Sequence, residues 1–212
     1  MLANVLLKSY QATMPLSGLL LWYDMKTYSG SNVVNGAGSG NNGQLINAST
    51  GVGYVDFNGS STRIDVPGFD VKRQKCTYFV DITPTLVADF ASIVDDIDGY
   101  GACFFRFLSG QIYFYIWNGS SYRTLTAPVS AGIRYKIVAQ HDDAVGSQLW
   151  VNGVLVQNVP TPGPIVYRGP ESGRRLGAQY ELAPGRFYNG RLWEYAEYNR
   201  FLTPSEIAAR FS

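Results

Sequence analysis

Gly190-Arg191-Leu192-Trp193-Glu194-Tyr195-Ala196-Glu197-Tyr198, then Asn199-Arg200-Phe201-Leu202, then Thr203-Pro204-Ser205-Glu206-Ile207, is the stretch whose reading decides the fold. Its first nine residues read as a strand, and the last five as a strongly specified helix start. Thr203 and Glu206 have capping-box spacing, in which each side chain satisfies the other's backbone N–H, and Pro204 stands at the first helical position. Leu202 and Ile207 are placed as a hydrophobic staple across that cap. A helix from Pro204 to Phe211 is too short to stand alone in water. Ile207, Ala208 and Phe211 are therefore expected to dock on the body of the molecule.

Working back from this ending, short apolar runs recur between clusters of Gly, Ser, Asn and Pro. Candidate strands are Leu19–Tyr23, Tyr54–Phe57, Arg63–Val66, Thr77–Thr83, Ser92–Asp95, Ala102–Leu108, Gln111–Trp117, Tyr122–Leu125 and Arg134–Ala139. Six Asn-Gly dipeptides punctuate them, beginning at Asn35, Asn42, Asn58, Asn118, Asn152 and Asn189. Asn-Gly suits the type I′ turn, whose two central residues need positive φ. Gln148–Val151, Asn152-Gly153 and Val154–Val156 form the clearest hairpin. Two stretches, 57–63 and 117–123, share an Asn-Gly-Ser-Ser turn and are read as one turn device used twice. Two loops stand out, Ser29–Gly43 and the proline-rich Val159–Gly173, and long loops on a rigid sandwich often carry function. With no helical period before Thr203, two packed antiparallel sheets are the economical solution.

The totals agree. A length of 212 residues suits a single all-β domain. Seventeen basic against sixteen acidic residues argue against a nucleic-acid or membrane-surface binder, which relies on basic excess. No apolar run is long enough to span a bilayer, and no secretory signal is read at the N-terminus, so membrane insertion is not expected. Residues 1–15 are expected to be an arm that docks on a partner, with the domain over 16–212. Cys76 and Cys103 head apolar runs and are read as buried free thiols. The absence of Cys/His ligand spacing excludes a zinc site of that type.

Five pieces, in order, resemble the laminin-G-like domains of the concanavalin-A-like lectin/glucanase superfamily. They are Gly18–Asp24, the Phe57-Asn58-Gly59-Ser60 turn, Cys76–Pro84, the strand at 134–139 with the Val151-Asn152-Gly153 hairpin, and the close from Gly190 to Ile207. The resemblance implies an all-β, two-sheet antiparallel jelly roll with a short C-terminal helix. It also implies a lectin-like module that binds a cell-surface glycan or a neighbouring protein. Relatives often carry an acid where this chain has Trp193, which argues against a calcium site using that position. By analogy with free-standing jelly rolls, the expected setting is a bacteriophage tail, fibre or capsid-decoration subunit. That setting means the virion surface, or otherwise an extracellular location, with other virion proteins as partners in an oligomeric assembly. The alternatives are a bacterial surface lectin module and a polysaccharide-cleaving hydrolase or lyase of the same superfamily.

The chemistry favours binding over cleavage. A retaining glycosidase needs two carboxylates about 5–5.5 Å apart. Strand alternation puts Glu194 and Glu197, three residues apart, on opposite faces. The family's Glu-x-Asp pattern is absent, and His141 in Gln140-His141-Asp142-Asp143 is read as a polar turn residue just past a strand. No catalytic residue is therefore expected. Asp95, Asp96 and Asp98, before Gly99, are the best metal candidates, since calcium prefers several oxygen ligands from a tight loop. No other cofactor is expected. The best binding lead is aromatic. In Gln111–Trp117, alternation sends Ile112, Phe114 and Ile116 to one face and Tyr113, Tyr115 and Trp117 to the other. Tyrosine and tryptophan combine stacking surface with a polar tip, which suits sugars. Arg174 and Arg175, in a locally basic stretch, complete the candidate ligand-binding set.

Overall fold

The computed structural model describes residues 15–99, 102–160, 163–169 and 173–211, so the expected arm lies outside them except for Pro15. Among these residues the strands form two antiparallel sheets, numbered here in chain order. The eight-stranded sheet runs β15 (Val154–Val159), β14 (Gly146–Val151), β13 (Tyr135–Asp142), β8 (Lys75–Leu86), β17 (Asn189–Tyr198), β6 (Tyr54–Asn58), β5 (Ser49–Gly51). β1 (Leu19–Asp24) completes it by pairing with β17. The nine-stranded sheet runs β12 (Tyr122–Pro128), β11 (Gln111–Trp117), β10 (Cys103–Leu108), β9 (Ser92–Asp96), β16 (Gly173–Leu176), β7 (Arg63–Pro67), β4 (Gly43–Ile46), β3 (Asn32–Val33), β2 (Tyr28–Ser29).

The C-terminal stretch organises the first sheet. β17 pairs with β8 along one side; along the other it pairs first with β6, through Asn189–Leu192, and then with β1, through Glu194–Tyr198. Its two faces serve different layers. Tyr195 lies in the main core between the sheets, while Ala196 and Tyr198 lie in a second apolar cluster on the outside. That outer cluster also holds Trp22, Phe79, Val138, Leu202 and Ile207, and it is where helix α1 (Pro204–Phe211) docks.

The capping box forms as expected: Thr203 N–H donates to Glu206 Oε2 at 2.8 Å, and Glu206 N–H donates to Thr203 Oγ1 at 3.3 Å. Leu202 and Ile207 are both buried in the outer cluster. Ala208, however, is exposed. The helix instead buries Arg210, whose guanidinium lies 4.0 Å from the Phe79 ring centre and donates to Glu194 Oε1 at 2.6 Å. The same carboxylate oxygen accepts Trp22 Nε1–H at 2.8 Å. Helix, first strand and last strand thus share one buried acid.

Several boundaries differ from expectation for identifiable reasons. β8 runs on through Pro84 to Leu86, because Pro84 sits at a register shift opposite Gly190, where a missing N–H breaks no regular ladder. Of the six Asn-Gly pairs, Asn152-Gly153 joins two paired strands with positive φ at both positions (49° and 83°), as a type I′ turn requires. Asn58 and Asn118 instead use their side-chain oxygens to accept following backbone N–H groups, from Ser60, Ser61 and Thr62 and from Ser120 and Ser121. The repeated turn is one device, as the sequence suggested. The Ser29–Gly43 loop contains the short β3 and the first residue of β4.

Candidate functional site

The strand β11 alternates as its sequence demands. Ile112, Phe114 and Ile116 are wholly buried between the sheets, and Tyr113, Tyr115 and Trp117 stand half-buried on the outer face of the nine-stranded sheet. Cross-strand register decides their company on that face. Phe104 of β10 lies opposite Tyr115, and Tyr122 of β12 lies opposite Trp117.

The rings form a comb rather than a floor. Phe104 and Tyr115 have centroids 4.7 Å apart with planes 20° from parallel, and Tyr113 follows Tyr115 at 5.5 Å and 22°. Aromatic rings lying flat side by side cannot approach to that distance, so these rings overlap face to face and stand up from the sheet. Tyr122 meets Phe104 and Tyr115 nearly at right angles, at 76° and 85°. The surface therefore offers ring edges and phenol groups. Burial raises the pKa of Tyr115 and of Tyr122, with nearby arginines acting against it, so both phenols keep their protons at neutral pH.

The proline-rich loop closes one end of the comb. Val166 N–H donates to the Trp117 carbonyl at 2.9 Å, and this holds Arg168 with its guanidinium 3.8 Å from the Trp117 ring centre and 5.0 Å from that of Tyr122. A guanidinium so placed is attracted by the ring quadrupole. Trp117 is thus packed between Arg168 and Tyr122 rather than open as a stacking surface.

The other end of the face is charged. Arg106 lies 4.1 Å from the Phe104 ring centre and donates to Asp95 Oδ2 at 2.9 Å. Beyond it, Arg175 grips both oxygens of Asp65, at 2.6 and 3.1 Å, and Arg63 adds a third bond at 3.0 Å. Arg175 also donates to the Tyr180 carbonyl at 3.1 Å. It is buried and fully engaged, so it frames the face rather than reaching from it.

Arg174 is separated from the other candidates, because its neighbour Arg175 takes the outer face and alternation turns Arg174 inward. It is 2 % exposed and pairs with Glu197 through two bonds of 3.0 Å, while its guanidinium also reaches the Tyr78 hydroxyl at 3.1 Å. Burial opposes its charge, but Glu197 facing it outweighs that and keeps it protonated. Tyr195 donates to the same carboxylate at 2.6 Å. No ligand on the outer face can meet Arg174.

The acidic stretch is likewise divided, not gathered into a turn. Asp95 and Asp96 belong to β9, paired with Arg175 and Arg174 of β16, so they face opposite ways. Asp95 holds Arg106 on the outer face. Asp96 is fully buried on the inner side, with neither carboxylate oxygen hydrogen-bonded. Burial, with Asp95 and Asp98 adding, pushes its pKa up to about 7, against the pull of Arg174. Asp98 follows the strand in the connecting bend. Among the described residues, no three His, Cys, Asp or Glu side chains are grouped to hold a metal ion.

His141 is not in a turn. β13 continues through it, paired on both sides, and its Nδ1 lies 2.8 Å from Ser147 Oγ in the buried interior. Glu194 and Glu197 do point to opposite faces, and each is tied to an arginine. Sequence reasoning missed Phe104, Tyr122 and Arg168. The parity of Tyr122 across the turn from Trp117 was a usable signal; the reach of Arg168 from its loop was not.

Residues 58–208 match the family described as the concanavalin A-like lectin/glucanases superfamily. The chain belongs to that superfamily. No curated protein matches the sequence. Among solved structures of this architecture, one described as HCR/D-Sa-GBL1/C superposes with a TM-score of 0.74 at 10 % identity, over 92 % of this chain and 52 % of that one. The binding domain of botulinum neurotoxin DC, in complex with rat synaptotagmin II, gives 0.71 at 10 % identity, over 92 % and 51 %. A botulinum neurotoxin type C structure, whose cell entry is described as dependent on two ganglioside molecules, gives 0.70 at 8 %, over 92 % and 51 %. This superfamily member spans about half the length of those chains.

Proposed function

We propose that the protein is a non-enzymatic recognition module that binds a carbohydrate on the outer face of β10–β12. The observation that carries this reading is the comb of rings in which Tyr113, Tyr115 and Tyr122 stand partly exposed beside the buried Phe104, closed by Arg168. Sugar hydroxyls are matched by the protonated phenols, and sugar C–H groups by the apolar ring edges between them. Arg168 at the end of the comb suits a sugar carrying a carboxylate. The similar toxin structures, whose descriptions name gangliosides and a protein receptor, lend support to recognition rather than catalysis.

Cleavage is the weaker reading. It needs two available carboxylates on one face. The acids of this face, Asp65 and Asp95, are each occupied by arginine at 2.6–3.0 Å. Calcium at Asp95, Asp96 and Asp98 would require the strand to rearrange, since the first two face opposite ways. The proposed setting remains a virion surface. Probing the protein on an array of neutral and acidic glycans tests the reading. Selective retention of a glycan class is expected, together with no reducing sugar released from the retained glycans. Release of reducing ends would replace the proposal with a hydrolase, and an array without hits would leave a protein neighbour as the ligand.

A further inference from the structure

The loop that reaches the ring comb alternates in and out. In Gly163-Pro164-Ile165-Val166-Tyr167-Arg168, Ile165 and Tyr167 pack on the main core, while Val166 and Arg168 are exposed. Tyr167 is bolted to the segment before β8: its hydroxyl accepts Arg73 N–H at 2.6 Å and donates to the Arg73 carbonyl at 2.7 Å. The Ile165 carbonyl accepts Gln74 Nε2–H at 3.0 Å. Val166 sits close on the β11–β12 turn, where a Cβ on Gly119 would stand 3.3 Å from its side chain. The backbone carrying Arg168 is therefore fixed, and the side chain is delivered to one place.

That place is the face of Trp117. A guanidinium meeting the indole at its edge would stay about 5 Å or more from the ring centre. At 3.8 Å the Arg168 guanidinium lies over the ring. It also shares a hydrogen bond with the Tyr122 phenol. An arginine seated on a ring presents N–H groups sideways, as a fork that matches a carboxylate. Arg106 and Arg175, on the same face, are bonded to Asp95 and Asp65.

We infer that Arg168 sets the ligand preference of this face: it receives a sugar carboxylate and, by covering Trp117, denies neutral sugars the flat ring on which they would stack. This assignment rests on the carbohydrate reading given above. A carboxylate held bidentately by a guanidinium makes two charge-assisted bonds, which exceed a cation–π contact at a half-exposed ring. An acidic sugar therefore gains from Arg168 even where the ring contact loosens. A neutral hydroxyl makes no such pair and does not displace the guanidinium. The stacking surface for neutral sugars is thus present but covered, and the comb beside it offers edges.

An array of neutral and acidic glycans, probed with wild type, Arg168→Ala and Arg168→Ala combined with Trp117→Ala, tests this. Wild type should retain glycans that bear a carboxylate. Arg168→Ala should weaken that retention by at least about tenfold and take up neutral glycans that wild type leaves; adding Trp117→Ala should abolish the new retention. Circular dichroism should be unchanged in Arg168→Ala, since the side chain is exposed. The cover is read without any ligand by acrylamide quenching of tryptophan fluorescence, which Arg168→Ala should raise in the wild-type background and not in a Trp117→Phe background. Wild type that retains neutral glycans as well as acidic ones, an unchanged pattern in folded Arg168→Ala, or unchanged quenching would overturn the role of Arg168 while leaving carbohydrate binding on this face in place. An array without hits for all three proteins would overturn the carbohydrate reading beneath it.

Discussion

Asp96→Asn should stabilise the protein at alkaline pH and, because the new amide also lacks a partner, cost about 1–3 kcal/mol at acidic pH. Asp96 is fully buried, neither of its oxygens is hydrogen-bonded, and its pKa is raised to about 7 by burial first and by Asp95 next. In the unfolded chain the same carboxyl titrates near 3.9. The native state therefore holds this proton more tightly. Below pH 4 both states are protonated and the group carries no penalty. As pH rises toward 7 the unfolded chain gains by ionising and stability falls, by up to about 1.4 kcal/mol per pH unit; above 7 the loss is complete. Integrated between the two titration points, the loss has a ceiling of about 4 kcal/mol. An asparagine NH₂ left without a partner costs about 1–3 kcal/mol of that. The net expectation is about 1–3 kcal/mol in favour of Asp96→Asn at pH 8, a rise in melting temperature of roughly 2–10 °C. Urea titrations at pH 4, 6 and 8 measure it. If the variant loses stability at pH 8 as much as at pH 4, Asp96 is charged and compensated in the native state and the reasoning fails.

Two further outcomes follow from buried groups. Burial lowers the pKa of His141, so the native state keeps it neutral; its contribution is whole above about pH 6.5 and is lost as pH falls toward the depressed value. In the Asp96→Asn background, which removes the opposing trend, stability should drop between pH 7 and 5, and adding His141→Gln should flatten that drop in urea titrations. Arg210→Ala takes the guanidinium away from the buried Glu194 carboxylate and removes the packing on Phe79. A cost of about 3–5 kcal/mol is expected, measured by denaturant unfolding, and a cost below about 1 kcal/mol would mean that the helix is not the clasp that its contacts suggest.

The ending of the chain was legible because its signals are local. The capping box, staple and strand lie within twenty residues, and each formed as its spacing required. The alternation of Gln111–Trp117 was equally legible, since a period of two fixes the faces. What the sequence hid was pairing over distance. Arg174 and Arg175 look alike in a row of letters, yet one pairs with Glu197 in the interior and the other with Asp65 outside. Asp96 read as part of an acidic turn because charges are rarely buried; opposite the two arginines of β16, Asp95 and Asp96 continue the strand. His141 was misplaced for the same reason, as only pairing with both β8 and β14 carries β13 past it. Trp117 was readable as a surface aromatic, but not as one capped by a guanidinium from a loop some fifty residues on.

Recognition by the ring comb is tested most directly by titration calorimetry of the strongest array ligand against wild type, Tyr115→Ala and Tyr122→Ala. A loss of affinity of at least about tenfold in each variant, some 1.4 kcal/mol, is expected, with folding preserved because both rings stand on the outer face. Undiminished binding by folded Tyr115→Ala and Tyr122→Ala would place recognition elsewhere on the molecule.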